Sequence, residues 1–145
     1  MNMIVIGMAS EVFAFICYKK EERNKEKGTG QMFENISVKE AIRLAMAKKA
    51  WLLDIREQED YEAGHLPTAV WAGEDFVREY LKIRPDVLKI LYCDFGNQSM
   101  KLARELDEEG YQVASIVGGY RAYEGYIEKK KDEMWTMEWK NNGHF

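Results

Sequence analysis

Between residues 50 and 117 the chain switches repeatedly from short continuous apolar runs to stretches of helical spacing, and this rhythm restricts its possible folds. Ala50-Trp51-Leu52-Leu53-Asp54-Ile55 has the length of a strand, carries apolar side chains at both odd and even positions, and ends near a charge. A strand apolar on both faces is buried from both sides, as strands of parallel sheets are. Ala69-Val70-Trp71, after the turn signal Pro67, Lys89-Ile90-Leu91-Tyr92 and residues 113–117 repeat the pattern.

The intervening segments read as helices. Ser37-Val38-Lys39-Glu40 has the form of a capping box, in which Ser37 and Glu40 satisfy each other's backbone N–H. Ala41, Leu44, Ala45 and Lys48 follow at helical spacing, which predicts a helix to about Lys49. Residues 57–63 predict a short helix stopped by Gly64, and Phe76, Val77, Tyr80, Leu81 and Ile83 the apolar side of another, closed before Pro85. Residues 99–109 predict a helix with Leu102, Ala103 and Leu106 inward and Gly110 as its stop. After the turn Gly118-Gly119 a last helix is expected from Tyr120 to about Lys131, with Tyr123 and Ile127 inward. Alternating strands and helices predict an α/β domain: a doubly wound parallel sheet with helices on both faces.

Ligands of such sheets bind beyond the carboxyl ends of the strands, where Asp54 and Cys93 both fall. The segment Cys93-Asp94-Phe95-Gly96-Asn97-Gln98 joins the strand ending at Tyr92 to the helical pattern from Ser99. A cysteine on such a turn has its sulfur among unpaired amides at the positive end of a helix dipole, which favours the nucleophilic thiolate. Ser99 fits the role of N-cap for that helix.

With 145 residues, 46% hydrophobic and 32% charged, the chain suffices for one core. A net charge of −4, without a basic stripe interleaved with aromatics, gives no expectation of a nucleic-acid partner. Two cysteines in dissimilar settings, Cys17 and Cys93, suggest no disulfide framework and point to a reducing, cytoplasmic compartment. No Cys-x-x-Cys pair or close His/Cys cluster suggests a metal site, and no cofactor is implied.

Residues 1–18, MNMIVIGMASEVFAFICY, are almost wholly apolar, and a mixed-charge, glycine-containing linker occupies residues 19–31. The apolar segment is at the short end of what spans a bilayer, and Glu11 would be costly there. It is either a membrane anchor that leaves the following domain in the cytoplasm or an extra element packed on the domain or on a second copy. The domain is expected over residues 32–131 and a tail over 132–145, where Met134, Trp135, Met137 and Trp139 would cover the domain's own apolar surface or rest on a membrane or partner.

Several ordered motifs together resemble the rhodanese family of single-domain sulfurtransferases. Leu53-Asp54-Ile55-Arg56, followed by Glu59, Tyr61, Gly64-His65-Leu66-Pro67 and Ala69, is similar to the family's first signature. Tyr92-Cys93 with Gly96 and Ser99 resembles its active-site loop, and Gly118-Gly119-Tyr120 its last signature. The resemblance implies that Cys93 accepts a sulfane sulfur, holds it as a persulfide and passes it to a nucleophile. The amides of Asp94, Phe95, Gly96, Asn97, Gln98 and Ser99 would form the substrate-binding nest, with Asp54 and Arg56 as a supporting ion pair. Cys93 is the one cysteine of the domain, so the acceptor must come from outside: cyanide, a small thiol or a protein thiol.

The loop departs from the family pattern in charge. Gln98 stands where an arginine is common, and Asp94 follows the cysteine directly. Losing a cation and gaining an anion should disfavour a dianionic donor such as thiosulfate, so weak thiosulfate turnover and a persulfide or polysulfide donor are expected. Ser99 or Met100 stands where related phosphatases place a phosphate-clamping arginine, so phosphatase activity is not expected. The alternative from another class is a non-catalytic rhodanese-like protein-binding module; a third is a redox sensor using a sulfenic acid or mixed disulfide. His65, beside Gly64 in a turn, reads as a structural hydrogen-bonding residue in preference to a general base, and Trp51 and Trp71 as core or rim aromatics.

Overall fold

The computed structural model describes residues 34–143. The apolar segment 1–18 with Cys17, and the linker 19–31, lie outside the described residues. The elements run β1 (Glu34–Ile36), α1 (Val38–Met46), β2 (Ala50–Asp54), α2 (Gln58–Ala63), β3 (Val70–Trp71), α3 (Val77–Lys82), β4 (Leu88–Tyr92), α4 (Asn97–Glu108), β5 (Val113–Ile116) and α5 (Gly119–Asn141). The strands form one sheet in the order β1-β5-β4-β2-β3, and every pairing is parallel.

The period of two sorts the strand side chains onto two faces. Leu52, Ile90, Ala114 and Ile116 meet Ala41, Leu44 and Ala45 of α1, with Tyr120, Tyr123 and Tyr126 of α5 packed against them. Leu53, Leu91 and Val113 point the other way, into Val77 and Leu81 of α3 and Ala103 and Leu106 of α4. Helices therefore cover both faces, and all five residues of β4 are buried. The doubly wound parallel α/β sheet expected from the alternation is the observed one.

Several local expectations are corrected. Only half of the capping box forms: the Glu40 N–H donates to Ser37 Oγ at 3.2 Å, while the Glu40 carboxylate grips Arg43 instead. Helix α1 ends at Met46, before Lys48, whose φ of 60° takes the backbone out of the helix. Helix α3 is shorter than its apolar pattern, and Phe76 and Ile83, outside it, are exposed. Helix α4 starts at Asn97, so Ser99 is not its N-cap; Gly96 holds that position in the left-handed region. Helix α5 continues to Asn141, and its residues from 128 onward are exposed. Met134, Trp135 and Met137 are each 62% exposed, so this segment does not cover the domain's own surface. Trp135 and Trp139 stack on each other with centroids 5.3 Å apart. No helix among the described residues is long and apolar enough to cross a membrane.

Candidate active site

Parallel pairing brings the ends of β2, β3 and β4 together, with Asp54 in register with Tyr92 on one side and Trp71 on the other. Cys93 is the first residue past β4 and is 2% exposed. Two backbone donors converge on its sulfur: the Gly96 N–H at 3.1 Å and the Ser99 N–H at 3.4 Å. The sulfur also lies 3.5 Å from Ser99 Oγ, which donates to Gly96 O and shares a hydrogen with Ser115 Oγ at 2.9 Å. Ser99 thus acts as a buried strut inside the loop. Ser115 was not anticipated from the sequence; its signal is a hydroxyl in a strand otherwise made of Val113, Ala114 and Ile116.

Glycines permit the loop to close this tightly. Gly96 has a φ of 100°, and a Cβ there would meet Gly118 N at 3.0 Å and Ile116 O at 3.4 Å. Gly118 and Gly119, also at positive φ, deliver the first amides of α5 to the loop. Tyr120 N–H donates to Cys93 O at 2.8 Å and Arg121 N–H to Asp94 O at 3.0 Å. The Cys93 loop is therefore held by its own helix from within and by the next helix from outside.

Of the loop residues anticipated as a nest, Gly96 and Ser99 bring their amides to the sulfur, while Phe95, Asn97 and Gln98 are exposed and Asp94 is half-exposed. Asp54 and Arg56 form the expected ion pair, deep in the molecule. Arg56 Nη2 lies 2.8 Å from Asp54 Oδ2, its Nε 3.1 Å from Oδ1, and its backbone N–H also donates to that carboxylate. The same Nη2 donates to Gly64 O at 2.6 Å, and the guanidinium lies 4.0 Å over the Tyr120 ring. Burial opposes the Arg56 charge, but Asp54 outweighs that opposition and, helped by Asp94, holds the guanidinium protonated above its ordinary range. Tyr92, hydrogen-bonded to Asp54, is pushed well above the usual phenol range by burial and by that carboxylate, and stays neutral. The pair thus ties the β2–α2 connection to the Cys93 loop, because Arg56 Nη1 also lies 3.7 Å from Asp94 Oδ1.

His65 stacks on Tyr61 with centroids 4.1 Å apart, and its Nδ1–H donates to Tyr61 O at 3.0 Å. This is the structural role expected for it. Trp71 is half-buried and donates its indole N–H to Arg56 O at 2.8 Å. A larger hollow of 680 Å³ lies at the opposite ends of the strands, beside Ala50 and Val87, and touches none of these groups. Two smaller clefts flank the cysteine loop: one of 380 Å³ past Asp94 and Gln98, and one of 190 Å³ past Phe95 and Gly96.

A parallel α/β sheet with one buried cysteine cradled by amides at a strand-to-helix turn defines the class of domain. The family model described as the rhodanese-like domain matches residues 37–126, and the chain belongs to that family. Among curated proteins it is similar to YtwF of Bacillus subtilis (strain 168), provisionally named a sulfurtransferase. The two are 29% identical over 107 residues, covering 73% of this chain and 96% of the relative. It is also 29% identical over 97 residues to "Thiosulfate sulfurtransferase GlpE" of Coxiella burnetii (strain RSA 331 / Henzerling II), covering 66% of this chain and 91% of the relative. Among solved structures, a rhodanese-related protein of Thermoplasma volcanium superimposes with a TM-score of 0.56 at 22% identity, over 67% of this chain and 93% of that one.

Proposed function

We propose that the protein is a sulfurtransferase, or sulfane-sulfur carrier, working through Cys93. The observation that carries this is the convergence of the Gly96 and Ser99 N–H groups on Sγ, because the same donors that stabilise a thiolate also stabilise the negative sulfur of a persulfide. The relatives named sulfurtransferases support the same reading. In the first step the Cys93 thiolate attacks the sulfane sulfur of the donor. The donor's S–S bond breaks, its electron pair leaves with the departing group, and Cys93 becomes a persulfide anion. In the second, an external thiolate or cyanide attacks the outer sulfur, and the Cys93–S bond breaks with its pair returning to Sγ.

Asp94 adds a carboxylate to the loop, and Arg56, already engaged by Asp54, answers it only from 3.7 Å. Gln98 supplies no cation. This favours a persulfide or polysulfide donor over thiosulfate, with weak turnover of the latter. A thiol that must stay reduced favours the cytoplasm as the working compartment.

The test is intact-protein mass spectrometry after incubation with thiosulfate or with polysulfide, repeated on Cys93→Ser. A gain of one sulfur atom that cyanide removes and the variant never shows is the expected result. A folded protein that gains no sulfur from either donor would overturn the proposal in favour of a binding module.

A further inference from the structure

We infer that the thiol receiving sulfur from Cys93 carries a positive charge close to its sulfur, and that the acidic wall beside the loop selects it. This deepens the sulfur-carrier reading and rests on it. The cleft of 380 Å³ opens beyond the carboxyl ends of β2, β3 and β4, with Asp94 and Gln98 of the cysteine loop forming one side. Its other sides carry Glu57 from the β2–α2 connection, Asp60 from the first turn of α2, and Glu74 and Asp75 from the turn after β3, with Trp71 as an apolar wall. The cleft abuts the cysteine loop through Asp94 and Gln98, the chain neighbours of Cys93 and Ser99.

The balance of charge is one-sided. Glu57, Glu74 and Asp75 are exposed, as is Asp60, and none of the four has an ion-pair partner among the described residues. Arg56 is the one cation of the lining, and its side chain is 4% exposed and locked to Asp54. The second cleft, past Phe95 and Gly96, is lined by uncharged residues. Arg121 lies on the Phe95 ring and pairs with Glu124 at 3.5 Å, so it does not offset the acidic wall. A cleft lined by one sign of charge raises the local concentration of the opposite sign and repels its own.

The transfer step sets what the cation must accompany. The acceptor thiol loses its proton to solvent, its thiolate attacks the outer sulfur of the Cys93 persulfide, and two negative sulfurs meet. An ammonium or guanidinium group near the attacking sulfur, seated against Glu74, Asp75, Glu57 or Asp60, offsets that repulsion. A neutral thiol lacks the offset, and a thiol bearing a carboxylate meets added repulsion. An aminothiol, or a cysteine flanked by basic residues in a protein, has this chemistry.

The experiment uses the full chain, loaded with polysulfide and followed by mass spectrometry as the persulfide decays. Three acceptors of similar size are compared: 2-aminoethanethiol, 2-mercaptoethanol and mercaptoacetate. The ratio of wild type to Glu74→Gln/Asp75→Asn is taken for each thiol, so that the thiols' own reactivities cancel. At low salt the variant should transfer about tenfold more slowly to 2-aminoethanethiol and faster to mercaptoacetate, and the contrast should shrink at about 0.5 M salt. Glu57→Gln/Asp60→Asn provides a second, independent pair of exposed substitutions. A persulfide that loads normally but decays by the same ratio with all three thiols overturns the charge selection alone. Failure to load overturns the carrier reading, and this one with it.

Discussion

Replacing Gly119 by alanine should damage the domain far more than one methyl group suggests. A Cβ at Gly119 would collide with the Cys93 carbonyl oxygen and come within 2.8 Å of both the carbonyl carbon and oxygen of Asp94. Those atoms cannot step aside cheaply, because Tyr120 N–H and Arg121 N–H hold the two carbonyls at 2.8 and 3.0 Å. Strain from a φ of +62° contributes about 1 kcal/mol for an L side chain. Overpacking against fixed backbone contributes ~1–3 kcal/mol, and loss of one of the hydrogen bonds ~1 kcal/mol. The total is ~3–5 kcal/mol, a large part of the stability of a domain this size. Gly125 supplies the control: it lies within the same helix, and a Cβ there meets nothing within 4 Å. Gly125→Ala should stabilise by ~0.5–1 kcal/mol through helix propensity. Urea unfolding of both variants, fitted with a common slope, should therefore separate them by about 4–6 kcal/mol with opposite signs relative to wild type. Gly119→Ala within about 1 kcal/mol of wild type would refute the claim that α5 buttresses the cysteine loop.

Other perturbations follow from the same geometry. Arg56→Met leaves the carboxylate of Asp54, 0% exposed, with its charge uncompensated and should cost ~3–5 kcal/mol in denaturant unfolding; a loss below about 1 kcal/mol would contradict the pairing. Lys89 is buried in β4 with its ammonium donating to Ile83 O and Arg84 O, and burial lowers its pKa to about 8. Between about 8 and 10.4 the folded state binds fewer protons than the unfolded one, so this group makes stability rise with pH across that window. Unfolding of wild type and Lys89→Met across that range should show the rise in wild type alone, and parallel curves would disprove it. Gln98→Arg should raise thiosulfate turnover about tenfold in a steady-state assay by returning a cation to the loop, and equal efficiency in the two proteins would count against the donor preference.

The sheet was legible because strands buried on both faces write themselves as unbroken apolar runs, as β2 and β4 do. Strand β1 was not, since Glu34-Asn35-Ile36 is a three-residue edge strand with one buried side chain and no run to notice. Ser99 misled for a physical reason: serine is a favoured N-cap, but here a left-handed Gly96 begins the helix and frees Ser99 to brace the sulfur from inside. The far half of α5 carries no apolar stripe facing a core, so nothing in its spacing announced where the helix would end. Cys93, Asp54 and Arg56 were visible because motif and position at strand ends agreed. The acidic cleft was not, because Glu57 and Asp60 are distant in sequence from Glu74 and Asp75 and meet only through the pairing of β2 with β3.

All-parallel pairing also divides the molecule into two ends with separate freedoms. The cysteine loop and the Asp54–Arg56 pair gather where β2, β3 and β4 finish, while Lys48, Arg84 and Gly110 turn the chain at the ends where β2, β4 and β5 begin. Gly110 has open space around it, and Lys48 and Arg84 are exposed. A graft, tag or longer loop placed at Lys48 or Gly110 would leave the register of the sheet, and with it the spacing of the cysteine loop from its acidic neighbour, unaltered, whereas the Arg84 turn must keep its carbonyl on the buried Lys89 ammonium. The cysteine loop thus sits at a fixed end of the domain, opposite a back where added chain has room.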